Sequence, residues 1–391
     1  MAVDEPSAQL NHDLRHEIHT ALATRRPLLH HLNADTSWLL QIPRPASAVR
    51  KGGRVYFNLL IDPWLAGGQS DVASWFSQQF HVGPSAVPTI AALEELAREI
   101  EILASGLQQN GRSNEASLEN DPPQTFVDAV CVSHEFTDHC HKDTLLELHP
   151  DTPVFAIKEA ARLIGSWKHF RTVVTVDSFG VNKNSDWRST SIAPLPQWIG
   201  ISRLLQTGDV LNYHSALMIA FNNQQSTSNS ATGNVNGHHS KVGQDIPTDA
   251  SESEDWAEAI VYTPHGIHSG DLNLIPGASP PIRTLAFLHG LHNVRVGTIA
   301  GRTALQSNLG AHNGLKAQRV LNAKYWIGTH DEEKTGGGLV SWFLQRDVIT
   351  LQEALEAERQ ARADVKDVAT LAAFEDTNWL ELKNGESRVL I

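Results

Sequence analysis

The segment Ser133-His134-Glu135-Phe136-Thr137-Asp138-His139-Cys140-His141 constrains this chain more than any other. Six side chains able to ligate a metal fall within eight residues, directly after the β-rich run Phe126–Val132. Helix formers begin again at Asp143, so the segment is predicted to sit on a strand-to-helix turn. Such a turn aims imidazole and carboxylate groups into one crevice beyond the carboxyl end of the strand. Mixed nitrogen and oxygen donors suit zinc, and also iron, manganese or nickel. Chance clustering is the competing explanation in a chain with 20 histidines.

The surrounding pattern is one of alternating elements. Leu10–Leu32 carries helix formers, giving within residues 1–33 a leading helix that stops near Pro27 and a short turn after it, and Thr36–Ile42 and Val55–Ile61 read as strands, the second stopped by Asp62-Pro63-Trp64. Ala86–Ser105 reads as a helix, then Pro153–Ile157 and Val173–Val176 as strands around a helix at Lys158–Trp167. Ala216–Phe221, Ala259–Thr263 and Tyr325–Gly328 read as further strands, followed by a helix near Leu351–Val365 and a strand at Trp379–Lys383. That alternation predicts a layered α/β fold, held in one domain over residues 34–391. The polar stretch 106–124 is expected to be a mobile loop. Asn222–Asp255, nearly devoid of large apolar residues, is expected to be a disordered insertion.

The turn resembles the His-x-His-x-Asp-His hallmark of the metallo-β-lactamase superfamily, and within it the cytosolic hydrolases acting on phosphodiester or lactone substrates. Other stretches follow in the same order: Leu60-Ile61-Asp62-Pro63-Trp64-Leu65, Pro194-Leu195-Pro196-Gln197-Trp198, Tyr262-Thr263-Pro264-His265-Gly266 and Trp326–His330. The resemblance covers roughly residues 34 to 345 and implies an αββα sandwich, two mixed β-sheets face to face with helices outside. It also implies a metal site. Of the three histidines of the family's first site only His134 remains, with Phe136 and Gln197 in the other places, and His265 stands where the bridging aspartate belongs. The second site is complete as Asp138, His139 and His330.

The resemblance therefore implies one divalent ion, zinc in first place with iron or manganese as alternatives, held by Asp138, His139 and His330. His265 is a candidate fourth ligand and His134 a further one. Three protein ligands with an open position describe a catalytic metal. His265 or His134, if not ligated, would shuttle a proton, and Gln197 would donate to a developing oxyanion. The expected activity is hydrolysis of a small ester, lactone or phosphodiester. The alternative of another class is a catalytically inactive member of the fold that serves as a binding module. For Asp138, His139 and His330 the plain alternative to ligation is a hydrogen-bonded polar core.

A formal charge of −13 argues against a nucleic-acid partner, which needs clustered Lys and Arg. The longest apolar runs fall far short of the ~20 residues that cross a bilayer as helix. Residues Met1 to Ala8 lack the basic and apolar regions of a secretory leader, and Cys131 and Cys140 are the only cysteines, so a cytoplasmic location is expected. His12, His16 and His19 share a helix face that reads as solvated. Asp62 is either an orienter of a ligand histidine or the cap of its own turn. The run Asp331–Lys334 reads as a solvated loop.

Overall fold

Residues 8–49, 53–71, 73–108, 124–181, 184–209, 213–223, 256–297, 303–361 and 377–391 are described by the computed structural model of the chain. Nearly all of the two segments expected to be mobile or disordered, 106–124 and 222–255, lies outside these residues.

Two mixed sheets organise the molecule. The first has seven strands in the order Ser387–Val389, Leu28–His31, Trp38–Pro43, Tyr56–Ile61, Ala129–Val132, Val154–Ala156 and Val173–Thr175. The second has six: Trp379–Leu380, Tyr325–Ile327, Ile282–Leu288, Ala257–Tyr262, Ser215–Phe221 and Ile199–Leu205. Successive side chains on a strand point to opposite faces, and both faces of these strands are apolar. In Ser215–Phe221 the residues Leu217, Ile219 and Phe221 join the core shared with Leu59 and Val130 of the first sheet. Their neighbours Ala216, Met218 and Ala220 pack instead with Ala311 and Leu315, one turn apart on the helix Gly310–Leu321. On the other side, Ile90 and Leu93 of helix Ile90–Gln108 and Ala160 and Ile164 of helix Lys158–Ser166 pack with the first sheet's residues. The order is helix, sheet, sheet, helix, the αββα sandwich that the resemblance implied.

The leading segment differs from expectation. Helix Ala8–Thr24 ends just before Pro27, close to the expected stop, but Leu28–His31, where a turn was expected, is a strand between Trp38–Pro43 and Ser387–Val389. Leu28 and Leu29 are fully buried, and sheet pairing overrides their helical propensity. Ile18 and Ala21 dock that helix against Tyr56, Ile100 and Val389, while His12, His16 and His19 are exposed.

In each sheet the central strands run parallel: Tyr56–Ile61 with Ala129–Val132, and Ala257–Tyr262 with Ile282–Leu288 and Tyr325–Ile327. Their carboxyl ends deliver Asp62, His134, His265 and His330 to one edge of the sandwich, where open α/β sheets bind ligands. Cross-sheet bonds close that edge: Trp38 Nε1 donates to Thr329 Oγ1 at 3.0 Å, and the backbone N–H of His330 donates to the Asp35 carbonyl at 3.0 Å.

Candidate metal centre

Asp138, His139 and His330 converge at the sheet edge, and so do His134, His139 and His265, each group with ligand atoms within 4.8 Å of one another. His139 Nε2 lies 3.6 Å from Asp138 Oδ1, and His330 Nε2 lies 3.7 Å from Asp138 Oδ2. Ligands ~2.0–2.2 Å from a tetrahedral zinc stand roughly 3.4 Å apart, so these separations suit a common ion.

The remaining ring nitrogens are committed to carboxylates. His139 Nδ1 donates to Asp62 Oδ2 at 2.8 Å, and His330 Nδ1 donates to Asp35 Oδ1 at 2.9 Å. Each arrangement fixes the tautomer and turns Nε2 inward, as carboxylates behind metal-ligating histidines do. Asp62 is thus an orienter. It also accepts from the backbone N–H of Ser133 at 2.7 Å and from the Ser133 hydroxyl. Asp62 and His330 both adopt positive φ, 42° and 61°, a conformation uncommon for non-glycine residues and concentrated at functional sites.

His265 Nδ1 is bonded to Asn308 Oδ1 at 3.2 Å, and its Nε2 faces His139 Nε2 at 3.0 Å. With both Nδ1 atoms donating elsewhere, two neutral imidazoles would confront each other with lone pairs. A proton or a metal ion must relieve that arrangement. The donor set therefore fits a cation on chemical grounds. His134 differs: Nε2 donates to the Tyr213 carbonyl at 2.8 Å and Nδ1 is bonded to Ser133 Oγ at 2.8 Å, so protein groups occupy both its nitrogens.

Electrostatics sort these groups. Burial pushes the pKa of His265 well down, and the neighbouring histidines push it further. Burial opposes ionisation of Asp138, but the Lys334 ammonium and the surrounding imidazoles outweigh it and hold the carboxyl well below its usual range. Burial likewise opposes charge on His139, yet Asp138 and Asp62 raise its pKa.

Two expectations need correction. Gln197 is exposed, next to Trp198, whose ring packs edge-on against Phe57 at 5.9 Å. Phe57 is five residues before Asp62 on an extended strand, roughly 16 Å away. Gln197 thus lies at the far end of the sandwich and cannot serve as an oxyanion donor here. The ring of Tyr213 stands beside the histidines instead, 4.4 Å from His265 and 5.0 Å from Phe136. The run Asp331–Lys334 is not a solvated loop. Asp331 accepts from the backbone N–H groups of Leu291 and His292, Glu332 accepts from His81 Nδ1 at 2.5 Å, and the Lys334 side chain is 5% exposed. Lys334 Nζ lies 2.8 Å from Asp35 Oδ2 and 3.1 Å from Asp138 Oδ2. Sequence reasoning missed Asp35, Tyr213 and Lys334 because nothing local marks them; only the close spacing of Lys334 to His330 hinted at a shared site.

The sequence matches no family model and no curated protein. Among solved structures the chain is similar to the isothiocyanate hydrolase from Delia radicum gut bacteria, at 14% identity over 93% of this chain and 99% of that one, with TM-score 0.46. It is similar to a possible metal-dependent hydrolase from Veillonella parvula, at 11% identity over 93% and 100% of the two chains, TM-score 0.47. The metallo-β-lactamase fold protein YhfI from Bacillus subtilis is similar at 11% identity over 93% and 98%, TM-score 0.40. These likenesses concern overall architecture and give no residue a role.

Proposed function

We propose that the chain is a metal-dependent hydrolase with a mononuclear centre at Asp138, His139 and His330, acting on a small organic ester, lactone or phosphodiester. The observation that carries this reading is the orientation of His139 by Asp62 and of His330 by Asp35, which turns two Nε2 atoms toward the carboxylate between them. Zinc, or iron or manganese in its place, would lower the pKa of a water bound there toward ~7 and supply a nucleophile at neutral pH. His265, held neutral by burial, presents Nε2 either as a fourth ligand or as the acceptor of a proton. His134 tethers the Tyr213 backbone, and the rings of Phe136 and Tyr213 pack beside the histidines.

The charge of −13 supports a small substrate over a polyanion. No helix among the described residues is long and apolar enough to cross a membrane. Cys131 and Cys140 are free and buried, which supports a cytoplasmic location.

Elemental analysis of untagged protein beside the Asp138→Ala, His330→Ala double variant tests the proposal. The expected result is about one equivalent of metal, lost in the variant, together with hydrolysis of one of the three substrate classes. About two equivalents would replace the mononuclear reading with a dinuclear one. No metal after reconstitution would sink the hydrolase in favour of an inactive fold that binds a ligand.

A further inference from the structure

Lys334 has no part in the mechanism above, yet its ammonium touches the centre. Nζ lies 3.1 Å from Asp138 Oδ2, the oxygen that faces His330 Nε2, 2.8 Å from Asp35 Oδ2, and 5.4 Å from the centre of the Trp64 ring. Asp35 orients His330 and Asp138 is a ligand, so one lysine grips both carboxylates on the His330 side. A buried lysine costs free energy unless opposite charges offset it, and here two do. Around the histidines the carboxylates of Asp35, Asp62 and Asp138 are at most 11% exposed, and Lys334 is the ammonium set among them.

We infer that Lys334 is a fixed cation built into the metal centre, where it holds Asp35 and Asp138 and opposes the charge of the ion that Asp138 would bind. The inference rests on the metal-centre reading above. It makes Lys334 a positioning residue, and it predicts an electrostatic cost: the ammonium and the metal share the Asp138 carboxylate and repel each other.

The test is zinc titration of the full chain against a chromophoric chelator, with wild type beside Lys334→Met, Lys334→Gln and Lys334→Arg, each checked for folding by circular dichroism. The wild type should stop at about one equivalent in excess zinc, and Lys334→Met should bind that zinc at least about tenfold more tightly because the repelling charge is gone. Lys334→Gln keeps a donor to the carboxylates without the charge; it should tighten zinc binding in the same way and carries the test where the methionine variant does not fold. Lys334→Arg should stay near wild type. Equal or weaker binding in the uncharged variants would overturn the inference while leaving the metal centre intact, since loss of support alone lowers affinity. Two equivalents in the wild type would overturn the mononuclear reading above, and tighter binding in the uncharged variants would still support the lysine's role. Zinc bound by the uncharged variants but not by wild type would support the lysine's role and remove the resident metal. No zinc in any of them would overturn both readings.

Discussion

Asp62 Oδ2 accepts the Nδ1 proton of His139 at 2.8 Å, and neither side chain has any exposed surface. The carboxylate is held by the backbone N–H and hydroxyl of Ser133, the residue that opens the ligand turn. Asp62→Ala should release the imidazole and lower metal affinity by about 10- to 100-fold while the apo fold persists. Chelator competition measures it, and unchanged affinity would mean that His139 is no ligand.

Metal binding should also appear as stability. A ligand that binds only the folded state adds about 2.7 kcal/mol at a hundredfold excess over its Kd. Chelation should therefore lower the Tm of the wild type and leave the Asp138→Ala, His330→Ala double variant unmoved. Scanning calorimetry with and without chelator would decide, and an equal response in both proteins would place the metal elsewhere.

His30 provides a pH dependence away from the centre. It is buried, with Ser387 Oγ at 2.6 Å on one nitrogen and Gln41 Oε1 at 2.7 Å on the other. Burial lowers its pKa from 6.5 to about 4, against the opposing bond to Gln41. The unfolded chain then binds more protons than the folded one between these values. The stability is whole above pH ~6.5 and is lost as pH falls toward ~4, by about 3 kcal/mol in all. Denaturant melts across that range should lose part of their acid slope in His30→Gln, the rest coming from other buried histidines such as His134 and His289. A slope identical to wild type would rule out His30 as its source.

Gly314 should reverse an ordinary helix rule. In the interior of a helix, Gly→Ala commonly stabilises by about 1 kcal/mol. At Gly314, however, a Cβ would come within 2.6 Å of Trp326 Cη2 and of His289 Cδ2, rings fixed between the helix and the second sheet. Gly314→Ala is expected to destabilise by about 1–3 kcal/mol in urea unfolding. A gain in stability would show that this packing yields.

The ligand turn was legible because its chemistry is local. His134, Asp138 and His139 lie within six residues after an apolar strand, and a strand feeding a turn aims them together wherever it lies in a layered fold. Most strands with β-rich, bounded runs were equally legible, Tyr56–Ile61 and Ser215–Phe221 among them. Leu28–His31 and Ser387–Val389 were not, because each is a short segment whose state is set by its partners across the sheet. The same distinction runs through the centre. That His265 and His330 reach one edge follows from parallel pairing of strands far apart in sequence, and they meet the turn where the two sheets pack. Gln197 fell at the wrong end because a motif carries order along the chain but not the direction of a strand. Asp35, Tyr213 and Lys334 enter through loops that come together only when the two sheets pack. The sequence by itself determined the layered α/β class and the donors of the turn. Tertiary structure alone decided which carboxylates orient which imidazoles, and that the Lys334 ammonium reaches Asp35 and Asp138, because burial and charge pairing depend on which chain segments pack against each other.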